Sequence, residues 1–220
     1  MKSLINRIGR AALLLIAPLA LAACGVNTIP TKEERAKAQW AEVQNQYQRR
    51  SDLIPNLVAT VKGYAAQESS VLIGVSQARA GAMQVRSDAS ITTDPAAFQR
   101  YAAAQQNLSL ALAPLRVLQE NYPELKSNEN FMALQSQLEG TENRVTIARR
   151  DYNEAVRDYN TTLRTFPQII WAKTVHGGSQ PMQLFQATAT AQTTPTVDFS
   201  PTQAPATAPA GAAPGSPPPK

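Results

Sequence analysis

The sequence predicts an all-α protein: an antiparallel up-and-down four-helix bundle of long helices, followed by a disordered C-terminal tail. Three observations predict it. Beyond Pro30 no stretch of any length alternates as a strand does, whereas apolar residues recur at steps of three and four along several long segments. Asp151-Tyr152-Asn153-Glu154-Ala155-Val156-Arg157 is followed at once by Asp158-Tyr159-Asn160-Thr161-Thr162-Leu163-Arg164, one heptad written twice, as a bundle seam selects. The last 34 residues hold half of the 16 prolines and only two charges, Asp198 and Lys220, and cannot offset the entropy of folding. Without that tail and the leader, about 160 residues remain, enough for one core.

The leader comes first. Lys2, Arg7 and Arg10 form a basic region, Ala11–Leu21 a short apolar one, and small residues follow. The apolar run from Ala11 to Val26 contains Pro18 and falls short of the roughly 20 residues that span a bilayer. It ends Leu21-Ala22-Ala23-Cys24-Gly25, which resembles a bacterial lipobox. Residues 1–23 are therefore read as a signal peptide, and Cys24, the sole cysteine, as the lipidated residue. Each buried acyl CH₂ contributes about 0.8 kcal/mol, so two or three chains hold a protein at a membrane surface. Gly25 in place of Asp resembles an outer-membrane destination in a Gram-negative cell. Residues 24–30 then act as a tether, 31–178 as the bundle and 179–220 as the tail.

Within the bundle, Thr31 and Glu34 fit a capping box, and Trp40, Val43, Tyr47 and Ile54 follow at near-heptad spacing. Pro55 either opens a second helix or kinks a continuous one. Leu57, Val61, Tyr64, Glu68, Leu72, Val75 and Ala78 carry the stripe on to about Val85. Pro95 opens the next helix, through Tyr101, Leu108, Leu112, Leu115 and Leu118, which ends before Pro123. Asn128 caps the longest helix, with Phe131, Leu134, Leu138, Val145, Ala148, Tyr152, Ala155, Tyr159, Leu163 and Phe166 on its seam. One gap interrupts it, at Thr141–Glu142. Pro167 stops it.

Composition removes several functions. The leader's three cations account for much of the net charge, which falls from +5 to +2 without them, so the pI of 9.5 gives no reason to expect nucleic acid as a partner. One Cys and one His give neither a Cys/His zinc site nor a disulfide framework. Nucleophile-elbow, phosphate-loop and dinucleotide motifs are absent from the sequence, which argues against an ordinary enzyme and against a cofactor.

Five blocks occur in order: Arg49-Arg50-Ser51-Asp52-Leu53-Ile54-Pro55-Asn56-Leu57-Val58, Thr60-Val61-Lys62-Gly63-Tyr64-Ala65, Tyr122-Pro123-Glu124-Leu125-Lys126-Ser127-Asn128-Glu129-Asn130-Phe131, Leu138-Glu139-Gly140-Thr141-Glu142-Asn143-Arg144, and Ala148-Arg149-Arg150-Asp151-Tyr152-Asn153-Glu154-Ala155-Val156. On these the sequence closely resembles the LemA family. The resemblance implies an antiparallel four-helix bundle at a bacterial membrane, without an established biochemical activity. Some members are associated with membrane metallopeptidases, which implies such an envelope protein as a partner, and others with organelle-membrane shaping. The lipobox departs from the transmembrane anchor usual in the family, and much of the aromatic C-terminal segment of many members is missing.

The candidate interaction or buried polar residues are Glu68, Glu139, Glu142, Asn143 and Arg149. Glu68 falls on an apolar stripe and Glu142 in the only gap of the last seam, so with Glu139 they could bind a metal or small ligand from the bundle interior, as an enzyme or binding protein. Such sites usually need Glu-x-x-His pairs, and His176 lies beyond the bundle. The plainer expectation is that each Glu pairs with an arginine such as Arg79, Arg144 or Arg149, leaving no metal site. Arg149 and Arg150 read as a solvated face with Arg150 paired to Glu154, Tyr152 and Tyr159 as core, Asn56 and Asn128 as caps. The functional expectation is an envelope lipoprotein that is a non-catalytic adaptor, lipid-anchored at the membrane.

Overall fold

A computed structural model describes residues 25–186. The signal peptide, Cys24 and residues 187–220 lie outside the described residues. Between them the chain is all helical, with α1 at Thr28–Tyr64, α2 at Ser69–Gln84, a 3₁₀ turn at Ala89–Thr93, α3 at Pro95–Asn121, α4 at Pro123–Lys126, α5 at Glu129–Thr162 and α6 at Gln168–Thr174.

Cross-helix contacts fix the directions. Lys32 pairs with Asp158 and Arg50 with Glu142, so α5 runs antiparallel to α1, its most extensive neighbour. Arg79 meets Ser51 and Trp40 meets Ser87, so the chain through α2 also runs back along α1. Trp40 packs against Phe98 while Arg50 meets Gln105, which sets α3 parallel to α1.

The first helix is continuous through Pro55, which settles the open choice between one kinked helix and two. Proline carries no N–H, so the carbonyl of Ser51 loses its helical donor. Nε of Arg79, reaching across from α2, donates to that carbonyl at 2.8 Å. Arg79 thus mends a proline defect and pairs with no glutamate. The apolar stripe breaks instead at Ala65–Glu68, where Ala65 caps α1 and Glu68 stands at the N-cap of α2.

Three expected boundaries move. The capping box at Thr31 and Glu34 does not form: α1 already begins at Thr28, and the Thr31 hydroxyl donates to the Asn27 carbonyl at 2.7 Å. The tether is correspondingly shorter, because Ile29 is fully buried. Asp94 and Asn128 cap α3 and α5 through their side chains, the second as expected. The third correction is the bundle's end at residue 178. Residues 180–185 return along α5 as a non-helical strap that buries Met182 and Phe185 in the core.

Two clusters share that core. At one end Trp40, Tyr47, Phe98, Tyr101, Tyr152 and Phe185 pack with ring centroids 4.8–6.3 Å apart, each such pair adding about 0.5–1.5 kcal/mol to simple burial. At the other, Ile54, Leu57, Val61, Leu72, Leu108, Leu112, Leu115 and Phe131 form an aliphatic cluster. Phe166, expected on the seam, is 79% exposed, because α5 ends before it.

Candidate functional site

A polar layer separates the two clusters. The seam of α1 runs Trp40, Val43, Tyr47, Arg50, Ile54, Leu57, Val61 in steps of three and four, and every one of these is buried. Arg50 therefore occupies a core position with 1% of its side chain exposed. The matching seam positions of α3 and α5 are Gln105 and Thr141, both buried.

Removing a guanidinium from water costs several kcal/mol unless its donors are met; those of Nη1 and Nη2 are, while Nε has no hydrogen-bond partner. Here Nη1 donates to Glu142 Oε2 and to Ser109 Oγ, both at 2.8 Å. Nη2 donates to the side-chain and main-chain oxygens of Gln105 at 2.9 and 3.1 Å. The cation also lies 5.0 Å from the centroid of the Tyr47 ring. Burial pushes the Tyr47 phenol up from its ordinary value, against the pull of Arg149 and Arg50.

Glu142 is the outward end of this network, its side chain 46% exposed against 1% for Arg50. It stands on the rim of a groove of about 210 Å³, floored by Leu57, Leu112, Leu115 and Phe131. Glu139 and Arg116, 3.8 Å apart, bridge the same groove. Leu138 lines it half-buried, where the seam pattern placed it in the core.

The candidate residues do not converge. Glu139 and Glu142 share the groove, each with its own arginine. Glu68 instead accepts a hydrogen bond from Tyr122 OH at 3.0 Å, at the turn between α1 and α2. Asn143 is exposed. Arg149 is no simple solvated residue, since its guanidinium sits 4.5 Å from the centroid of the Phe185 ring, while Arg150 pairs with Asp151 and not with Glu154. His176 contacts the Val26 carbonyl at 2.9 Å. Among the described residues no group of three or more His, Cys, Asp or Glu is placed to hold a metal ion. Such an arrangement can make contacts; it offers no carboxylate pair free of arginine.

The residue that pattern reading missed is Arg50. Its signal was the unfilled step between Tyr47 and Ile54 in an otherwise regular heptad, the counterpart of the gap noted at Thr141–Glu142.

The LemA family model matches residues 39–199. Magnetosome protein MamQ 2 of Paramagnetospirillum magneticum is 25% identical over 157 residues, covering 64% of this chain and 58% of that protein. Magnetosome protein MamQ of Magnetospirillum gryphiswaldense is 24% identical over the same shares. The chain thus spans 58% of the length of the curated relatives it matches.

Proposed function

The chain belongs to the LemA family, and from that premise we propose that it is an envelope lipoprotein, lipid-anchored at a membrane through Cys24, that acts as a non-catalytic adaptor or scaffold for other envelope proteins. The observation that carries this reading is the use of the site's charges. Arg50, Glu142, Arg116 and Glu139 are spent on one another and on Gln105 and Ser109, which suits a body that works by contact. Among the described residues no helix is long and apolar enough to cross a membrane; in this reading the leader and its cysteine supply the attachment. That the relatives are magnetosome proteins supports a membrane setting. The partner class that the family resemblance suggests is a membrane metallopeptidase.

Cys24→Ser removes the acceptor thiol. It abolishes palmitate labelling, leaves precursor of lower mobility and separates the bundle from its membrane-bound partners. Unchanged labelling and unchanged mobility refute the anchor, and stoichiometric metal in the purified protein refutes the non-catalytic adaptor in favour of a ligand site built on Glu139 and Glu142.

A further inference from the structure

The heptad written twice on α5 does more than build a seam. Its two asparagines, Asn153 and Asn160, face the strap, and each makes a reciprocal pair of hydrogen bonds with one strap residue. Asn160 Nδ2 donates to the Met182 carbonyl while Oδ1 accepts from the Met182 N–H, both at 2.9 Å. Asn153 does the same with Phe185, again at 2.9 Å in both directions. Between these rungs Tyr152 OH donates to the Gln183 carbonyl at 2.9 Å, and the Gln183 N–H donates to the Thr92 carbonyl at 2.6 Å.

The spacing explains why two heptads are needed. Seven residues of helix rise about 10.5 Å. Three residues of extended chain, Met182 to Phe185, reach about 10 Å. A strap lying antiparallel on α5 in near-extended form therefore brings every third backbone unit opposite every seventh helical one. Recognition is of two kinds. The asparagines read only backbone, while the side chains of Met182 and, three positions on, Phe185 are buried in the core. Phe185 enters the aromatic cluster 4.8 Å from Phe98 and 5.7 Å from Tyr152, beneath Arg149, and Met182 is equally buried.

We propose that this face of α5 is a peptide-binding site for an extended apolar-x-x-aromatic segment, that the chain's own strap is its resident ligand, and that the strap of a second copy of this chain can take its place. The second copy is the occupant because its Met182-Gln183-Leu184-Phe185 carries the required chemistry by identity. Exchange requires only that one segment swing out about the Gly177-Gly178 pair that precedes it, the low-cost geometry of segment swapping. In the single chain the tethered strap acts at an effective concentration on the order of millimolar, so it outcompetes a free copy until it is weakened.

Complementary full-length variants test this. One, Met182→Ser with Phe185→Ser, keeps the site and loses the ligand; the other, Asn153→Ala with Asn160→Ala, keeps the ligand and weakens the site. Mixed, they form a one-to-one heterodimer by native mass spectrometry, while neither alone dimerises. A labelled peptide of residues 179–188 binds the first variant at least tenfold more tightly than the wild-type chain, and binding is lost when the asparagine substitutions are added. Absence of both the heterodimer and peptide binding overturns the proposal. As a second measurement that leaves the strap intact, the full chain is cut at a protease site replacing Gly177-Gly178. Exchange of the cut strap for labelled peptide supports the site. Failure to exchange, or loss of helicity on cutting, shows the strap to be a fixed part of the core and overturns it.

Discussion

Opposite ends of the Arg50–Glu142 pair should respond very differently to removal. Arg50→Met keeps the stem's volume but deletes four hydrogen bonds, and leaves the buried Gln105 side chain and Ser109 without their donor. Each buried acceptor left unmet costs about 1–3 kcal/mol. Some relaxation of Ser109, which already donates to the Gln105 carbonyl, brings the total to about 2–4 kcal/mol. Glu142→Leu strips the guanidinium of its counter-charge, which in a dry site costs about 3–5 kcal/mol. Glu142 is half-exposed, so water reaches its place and the leucine extends the apolar groove; about 1–2 kcal/mol is expected. The double variant removes the stranded charge together with its partner and should cost less than the two singles added, by about 1–2 kcal/mol. Urea unfolding followed by far-ultraviolet circular dichroism resolves these differences in a protein of ordinary stability, about 5–15 kcal/mol. Equal losses from Glu142→Leu and Arg50→Met, or strict additivity in the double variant, would refute the inside-out view of this pair.

Arg79→Met should cost about 1–2 kcal/mol in the wild-type chain and far less beside Pro55→Ala, because alanine restores an N–H to the Ser51 carbonyl; equal losses in both backgrounds sink the proline-repair argument. Burial raises the phenols of Tyr47, Tyr101, Tyr152 and Tyr159 above the ordinary value of 10, so above about pH 10 the unfolded chain releases protons that the folded chain keeps. Stability should therefore hold below that pH and fall above it, each tyrosine adding up to about 1.4 kcal/mol per pH unit, and melts that stay level from pH 8 to 11.5 contradict this. Phe185→Ala should cost about 3–5 kcal/mol, whereas half-buried Leu138→Ala should cost about 1–2 kcal/mol; the reverse order in urea melts means the strap is peripheral to the core.

Helix class and most of the core were legible because periodicity reports burial directly. Trp40, Val43, Tyr47, Leu108, Phe131, Val145, Tyr152 and Tyr159 all lie where the three-four pattern puts them. What the pattern hides is any polar residue doing a core residue's work. Arg50 and Gln105 sit on their seams in perfect register, yet a search for apolar residues passes over both. Tertiary hydrogen bonds are equally invisible to local rules, so the Thr31 capping box lost to an earlier start and Pro55 did not divide α1, given a donor 28 residues away. The strap was hidden for a compositional reason. Ser179-Gln180-Pro181-Met182-Gln183-Leu184-Phe185 carries no helical period and adjoins a Pro/Ala/Thr-rich tail, so only the repeated Tyr-Asn of α5 betrays what it binds. Of the candidate site residues, Glu142 was marked by its gap, while Glu68 was drawn onto a stripe that breaks just before it.

Adaptor function at a membrane is tested most directly by photo-crosslinking in living cells, with probes at the exposed apolar positions Ile73, Met132 and Ile147 followed by mass spectrometry of the adducts. Discrete adducts with envelope proteins are expected from the wild-type chain, and their loss from Cys24→Ser, in which the bundle is folded but carries no lipid. No adducts from any of the three positions, or the same adducts from Cys24→Ser at undiminished yield, would contradict that function.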